Sequence, residues 1–183
     1  MGEKNSNSNE DLVENIRKGD RSAFEKLFYQ YYSLLCVFSN SYVKSLDLAR
    51  DVVQEVFIKI WDNRENFYIN QSLKAYLYQA VRNQSINFLQ QKKQKLKLEK
   101  RLLKQHEMGK SVHNNADLNT EELTEKIWKL VEDLPERRRT IFILYRKHGL
   151  SYKEIAEVMG IARKTVENQM GKSLQFLRDQ LGL

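Results

Sequence analysis

The chain has 183 residues, 41% of them hydrophobic, with a single cysteine and a formal net charge of +7. Lone Cys36 excludes an internal disulfide framework, and no apolar run approaches the ~18–20 residues that span a bilayer. One proline and seven glycines leave few breaks, so the composition points to an all-α fold. The charge is unevenly placed. Residues 82–110 hold nine Lys/Arg against two acids, so the whole excess belongs to one segment and argues for a polyanionic partner.

Residues 1–9 are short, polar and terminal, and are expected to be disordered. They carry no hydrophobic signal core, so a cytoplasmic location is expected. A first helix is expected over 10–18, closed by Gly19, and a second over about 20–40. In the second, Phe24, Leu27, Phe28, Tyr31, Leu34, Leu35 and Phe38 repeat at helical spacing. Ser45 caps a third helix over 46–62, whose buried stripe is Val53, Val56, Phe57 and Ile60. Asp51, Gln54, Glu55, Ile58 and Trp61 fall on an adjoining or outward face. That face suits a protein partner, although Trp61 could equally cap the core. A looser stretch, 63–71, precedes a long fourth helix from about Ser72 into the basic segment.

Periodicity fails over 105–119, where GKSVHNNADLN favours turns, and this stretch reads as a flexible linker. The expected organisation is a tail at 1–9, a helical domain at 10–104, the linker, and a second helical domain at 120–183. The second domain begins with Thr120 as a cap and the stripe Leu123, Ile127, Leu130, Val131 and Leu134. Pro135 opens the next helix, whose core face is Ile141, Phe142, Leu144 and Tyr145, and Gly149 closes it.

The last stretch, SYKEIAEVMGIARKTVENQMGKSLQFLR, starts with a capping box, Ser151 and Glu154. Gly160 sits where a left-handed glycine ends a helix. A second stripe follows: Val166, Met170, Leu174 and Leu177. The opposite side offers Arg163, Lys164, Thr165, Glu167, Asn168, Gln169 and Lys172, residue types suited to base edges and phosphates. Helix, glycine turn and helix with a charged outer face make a helix-turn-helix, whose second helix enters the major groove.

Three segments carry a family resemblance. DVVQEVFIKIW, from Asp51 to Trp61, is similar to region 2.2 of the extracytoplasmic-function sigma factors, the smallest members of the primary bacterial sigma family. AYLYQAVRNQSINFLQQKK resembles their regions 2.3 and 2.4, and LPERRRTIFILYRKHGLSYKEIAEVMGIARKTVENQM resembles region 4. The resemblance implies an initiation factor and no enzyme. Asp51, Gln54, Glu55, Ile58 and Trp61 would dock on core RNA polymerase. Asn66, Phe67, Tyr76, Gln79, Arg82, Asn83, Asn87, Lys92 and Lys93 would recognise and open the minus-ten element, with Tyr68 a further candidate in a base-capturing loop. Arg163, Lys164, Thr165, Glu167, Asn168, Gln169 and Lys172 would read the minus-thirty-five element, with Arg137, Arg138 and Arg139 supporting the backbone of the DNA or polymerase. It also implies a membrane-linked anti-sigma factor as partner.

Three departures from the family stand out. Ala162 replaces the usual capping serine, and Gly171 lies inside the recognition helix. Where the family often has an acid and an arginine near the end of region 2.4, this chain has Asn87 and Gln90. No small-molecule substrate, cofactor or metal is expected: Gly171-Lys172-Ser173 lacks the rest of a phosphate loop, and the three histidines have no ligand spacing. The rival reading is a stand-alone helix-turn-helix regulator with an N-terminal dimerisation or sensing module.

Overall fold

In the computed structural model, residues 3–70, 72–102 and 122–182 are described, and among them every regular element is helical. Two compact units are present, the first centred on α1 (Glu3–Arg17), α2 (Arg21–Val43), α3 (Leu46–Asp62) and α4 (Leu73–Leu102). The second is centred on α5 (Glu122–Glu132), α6 (Glu136–Arg146), α7 (Tyr152–Met159) and α8 (Arg163–Leu181). The stretch expected to be the linker, 105–119, and the Thr120 cap lie outside the described residues.

In the first unit, local chemistry fixes the helix ends. Gly19, at φ +83°, closes α1 in a Schellman turn: its amide donates to the Ile16 carbonyl at 2.9 Å and the Asp20 amide to that of Asn15 at 3.0 Å. Asp20 then caps α2, its carboxylate accepting from the Ser22 and Ala23 amides. α2 and α3 form an antiparallel hairpin over a two-residue joint, Lys44 in the left-handed region and Ser45 as cap. Ser72 Oγ accepts from the Ala75 amide at 3.0 Å and so starts α4.

The core of this unit is α2 against α3, with Leu27, Leu35, Phe38, Val53, Val56, Phe57 and Ile60 buried. Tyr78 of α4 is fully buried, its ring 5.0 Å from Phe38. Two buried hydroxyls lie 3.0 Å apart, Ser39 on α2 and Ser85 on α4. Ser85 gives its proton to the Val81 carbonyl, so Ser39 is the donor between them.

Two expectations are corrected here, and α1 runs from Glu3 to Arg17. Leu34 is 45% exposed instead of joining the α2 core, whereas Leu27, Tyr31, Leu35 and Phe38 are buried as expected, Phe38 against Tyr78 of α4. Pro135 is the N-cap of α6, one place earlier than expected.

In the second unit, α6 and α8 pack together with α5 against both. Ile141, Leu144, Leu150, Ile155, Val166 and Met170 are buried. The expected α8 stripe is correct at Val166, Met170 and Leu177 and wrong at Leu174, which is 38% exposed while Ser173 is buried. At about 100° per residue, Ser173 falls roughly 20° from Val166, on the inner face, whereas Leu174 falls roughly 80° from it, at the edge of that face. The buried Ser173 hydroxyl is satisfied by the Gln169 carbonyl at 2.9 Å. Leu174 instead lines an apolar groove of about 370 Å³ with Trp128, Phe142 and Leu181.

Candidate polymerase and nucleic-acid interfaces

On α3 the buried stripe leaves the opposite side free. Asp51, Gln54, Glu55 and Ile58 are all exposed, Ile58 by 58%. Ile58 thus stands among Asp51, Gln54 and Glu55 as an apolar centre with polar neighbours. Glu55 pairs with Lys59 at 2.8 Å, and the Gln54 amide reaches the Tyr32 hydroxyl at 3.5 Å. Trp61 differs from its neighbours. It is half-buried, with its ring 4.9 Å from Phe24 and the Arg64 guanidinium 4.9 Å over it. It therefore caps the core on one side and meets a cation on the other, which leaves less of it for a partner than the sequence pattern implies.

After α3 a single 3-10 turn, Arg64–Asn66, leads into the loop before α4. Phe67 was expected to be available to DNA; it is buried, its ring edge-on to Tyr76 at 5.3 Å. The physical reason is the turn, which aims Phe67 back between α3 and α4. There it forms part of the lining of a cavity of about 210 Å³, with Lys59, Asn63, Asn66, Tyr76 and Gln84 also on the lining. Two rings, three amides and an ammonium converge on this space. Stacking faces with donors and acceptors are what an unpaired base requires. Lys59 Nζ donates to Gln84 Oε1 at 3.0 Å, and Asn66 Nδ2 to Asn63 Oδ1 at 3.0 Å. Burial raises the Tyr76 hydroxyl above its ordinary pKa, so it stays protonated and able to donate.

Lys59, Asn63 and Gln84 were not singled out from the sequence. The signal was present on α4, where Tyr76, Ala80 and Gln84 share one face at i, i+4 and i+8. Of the two tyrosines on that helix, Tyr78 is the one committed to the core. Gln79 and Arg82 are half-buried, whereas Asn83, Asn87, Lys92 and Lys93 are exposed along α4.

The helix-turn-helix forms as its local chemistry demands. Ser151 Oγ accepts from the Glu154 amide at 3.3 Å, and Glu154 Oε2 accepts from the Ser151 amide at 2.8 Å, which completes the capping box. Gly160, at φ +63°, makes the turn: its amide donates to the Glu157 carbonyl and the Ile161 amide to that of Ala156. Ala162 caps α8 with no side-chain bond.

Arg163, Lys164, Asn168 and Lys172 are exposed on α8, and Thr165 is half-buried in its first turn. Glu167 gathers two of the cations, Arg163 Nε at 3.1 Å and Lys164 Nζ at 3.4 Å. Gln169 is half-buried, and its Oε1 accepts from Arg138 Nε at 3.1 Å. It stands on the flank turned to α6, about 100° round the helix from Asn168. Among the three consecutive arginines that open α6, Arg137 is exposed and Arg139 donates to the Leu134 carbonyl at 3.0 Å. Arg137 is thus the one left facing outward.

Comparison with known proteins agrees with this division. A sigma-70 region 2 model matches residues 27–95, and a sigma-70 region 4 model matches residues 124–177. The ECF RNA polymerase sigma-E factor of Escherichia coli strain K12 is 29% identical over 177 residues, covering 93% of this chain and 92% of that protein. The factor of the same name from Haemophilus influenzae is 28% identical and covers 93% of each.

Among solved structures, the sigma factor RpoE of Bartonella quintana, in complex with the anti-sigma factor NepR, has a TM-score of 0.64 at 21% identity. That match covers 87% of this chain and 97% of RpoE. CnrH, in complex with the cytosolic domain of CnrY, has a TM-score of 0.65 at 19% identity and covers 95% of this chain and 97% of CnrH. These last two likenesses are of fold. The two sigma-70 models together span more than half of the chain, which belongs to the sigma-70 family. It is a sigma factor of the extracytoplasmic-function type, an initiation factor and not an enzyme. Among the described residues, no helix is long and apolar enough to cross a membrane.

Proposed function

We propose that this sigma factor binds core RNA polymerase through the outward face of α3 and opens promoters through the first unit. In this reading Asp51, Gln54, Glu55 and Ile58 make the polymerase contact, with Trp61 at its edge. The cavity between α3 and α4 takes an unpaired base of the minus-ten element. Tyr76, Phe67, Asn66 and Gln84 supply rings and amides, while Arg82, Asn83, Asn87, Lys92 and Lys93 carry the strand along α4. The minus-thirty-five element lies against α8, read by Arg163, Lys164, Asn168 and Lys172. Thr165, Glu167 and Gln169 support that surface.

The observation that carries the reading is the occurrence of both sigma-70 regions, in order, on one chain. The protein acts in the cytoplasm, where polymerase and promoter are. An anti-sigma factor is its regulatory partner, as NepR is a partner of the Bartonella quintana RpoE with which this chain shares its fold.

The test is a pull-down of core polymerase by the wild type and by Ile58→Glu. Ile58 is exposed, so the variant should fold normally. Loss of at least tenfold in core affinity is expected, the size of a central contact in a protein interface. Equal binding by both would overturn the assignment of α3. Binding of symmetric duplex DNA without polymerase would favour a stand-alone regulator.

A further inference from the structure

The region 2 match begins at residue 27, so α1 has been given no task. Its C-terminal end meets the loop between α3 and α4. The Arg17 guanidinium carbon stands 3.9 Å from the centre of the Tyr68 ring, and Arg17 Nη2 donates to the Tyr68 hydroxyl. One cation thus engages both the face and the polar tip of a single ring. Tyr68 is otherwise open, 62% exposed.

The anchor of this contact is firm. Ile16, beside Arg17, is fully buried, and the Gly19 turn and Asp20 cap fix the direction in which α1 ends. Arg17 Nε is buried without a hydrogen-bond partner, a polar cost accepted in placing the guanidinium there. On the other side of the contact, the Tyr68 amide donates to the Asn66 carbonyl at 2.9 Å and the Phe67 amide to that of Arg64 at 3.0 Å. Residues 66–68 therefore move as one tight turn. Asn66 and Phe67 are the two members of that turn that line the cavity.

We infer that α1 is a brace for the base-capturing loop and that Arg17 is its positioning residue. By holding Tyr68, Arg17 fixes Asn66 and Phe67 at the cavity before DNA arrives, so the captured base is selected by a preformed wall. This makes Tyr68 a fastening point and not a stacking platform. The inference rests on the reading of the cavity as a base site, and its test separates the two.

The first measurement needs no DNA: amide hydrogen exchange at residues 66–68 in the free full-length protein. Arg17→Ala should speed exchange there about three- to tenfold, in keeping with loss of one cation–π contact and one ordered side chain. Arg17→Lys, which keeps a cation over the ring, should fall between. Unchanged exchange in Arg17→Ala overturns the brace.

The second measurement uses polymerase reconstituted with each variant on templates premelted at the minus-ten element, with all four bases at each unpaired position. With Arg17→Ala, core affinity should be unchanged and discrimination at one position should flatten by about three- to tenfold, while Arg17→Lys keeps most of it. Faster exchange with unaltered discrimination overturns the role in base selection. Failure of the wild type to discriminate any base would instead overturn the base-site reading.

Discussion

Tyr78 shows how one residue links the core to solution conditions. Its hydroxyl is raised far above the ordinary value near 10, first by burial and then by neighbouring Tyr31. The folded state keeps this proton and the unfolded chain releases it near pH 10. Stability is therefore at full value below pH 10 and falls as pH rises from there toward the folded value. Chemical denaturation at pH 9 and pH 11 should show a lower midpoint at the higher pH. The drop should be smaller in Tyr78→Phe, which has nothing to ionise at that site. An equal drop in both proteins would count against Tyr78 as the origin.

Among the elements, α8 is the one whose local sequence works against its fold. Its N-cap is Ala162, which makes no side-chain bond, and Gly171 stands in its interior where an added methyl would meet nothing within 4 Å. Ala162→Ser should supply the missing acceptor and add about 1 kcal/mol, and Gly171→Ala should add up to about 1 kcal/mol through helix propensity. Thermal unfolding of each variant checks both. A decrease in melting temperature for Gly171→Ala would mean that the glycine is required inside the fold.

This helix also marks what a linear reading can reach. The capping box at Ser151 and Glu154, the cap at Ser45 and the left-handed Gly160 were legible, since each is settled within a few residues. The helical class and the α3 stripe were legible for the same reason, periodicity being local. Leu34 and Leu174 were misjudged because neighbouring residues compete for one buried face and only the partner helix decides between them. Arg17 with Tyr68, and Arg138 with Gln169, join residues 51 and 31 positions apart. No spacing rule connects such pairs, so the brace and the tethered glutamine were invisible until the chain was folded. Phe67 was placed in the right loop, but its burial was not legible, because its direction is set by the 3-10 turn before it.

For the molecule as a whole, the position of the charge matters more than its sum. The excess of +7 resides in residues 82–110, where Arg82 lies half-buried on α4 and Lys92 and Lys93 lie exposed further along it. Cations on an extended helix bind a strand by displacing its counterions, which makes promoter binding steeply salt dependent. Replacing Lys92 and Lys93 together by alanine should weaken holoenzyme binding similarly across promoter sequences. It should also flatten the slope of log affinity against log salt by roughly 0.7–0.9 per lost phosphate contact. An unchanged slope would place the strand elsewhere.

The two-residue joint between α2 and α3 has a bearing on the birth of the protein. Contacts across that hairpin are close in sequence, and helical units of this kind assemble within microseconds to milliseconds. Ribosomes extend a chain by only ~5–20 residues per second. Once the hairpin has left the ribosome, about five to twenty seconds of synthesis separate its last residue from the start of α8. The surface proposed for polymerase therefore exists on the nascent chain well before the surface proposed for the minus-thirty-five element. An interceptor that recognises the hairpin could capture the factor while its reader of DNA is still unmade.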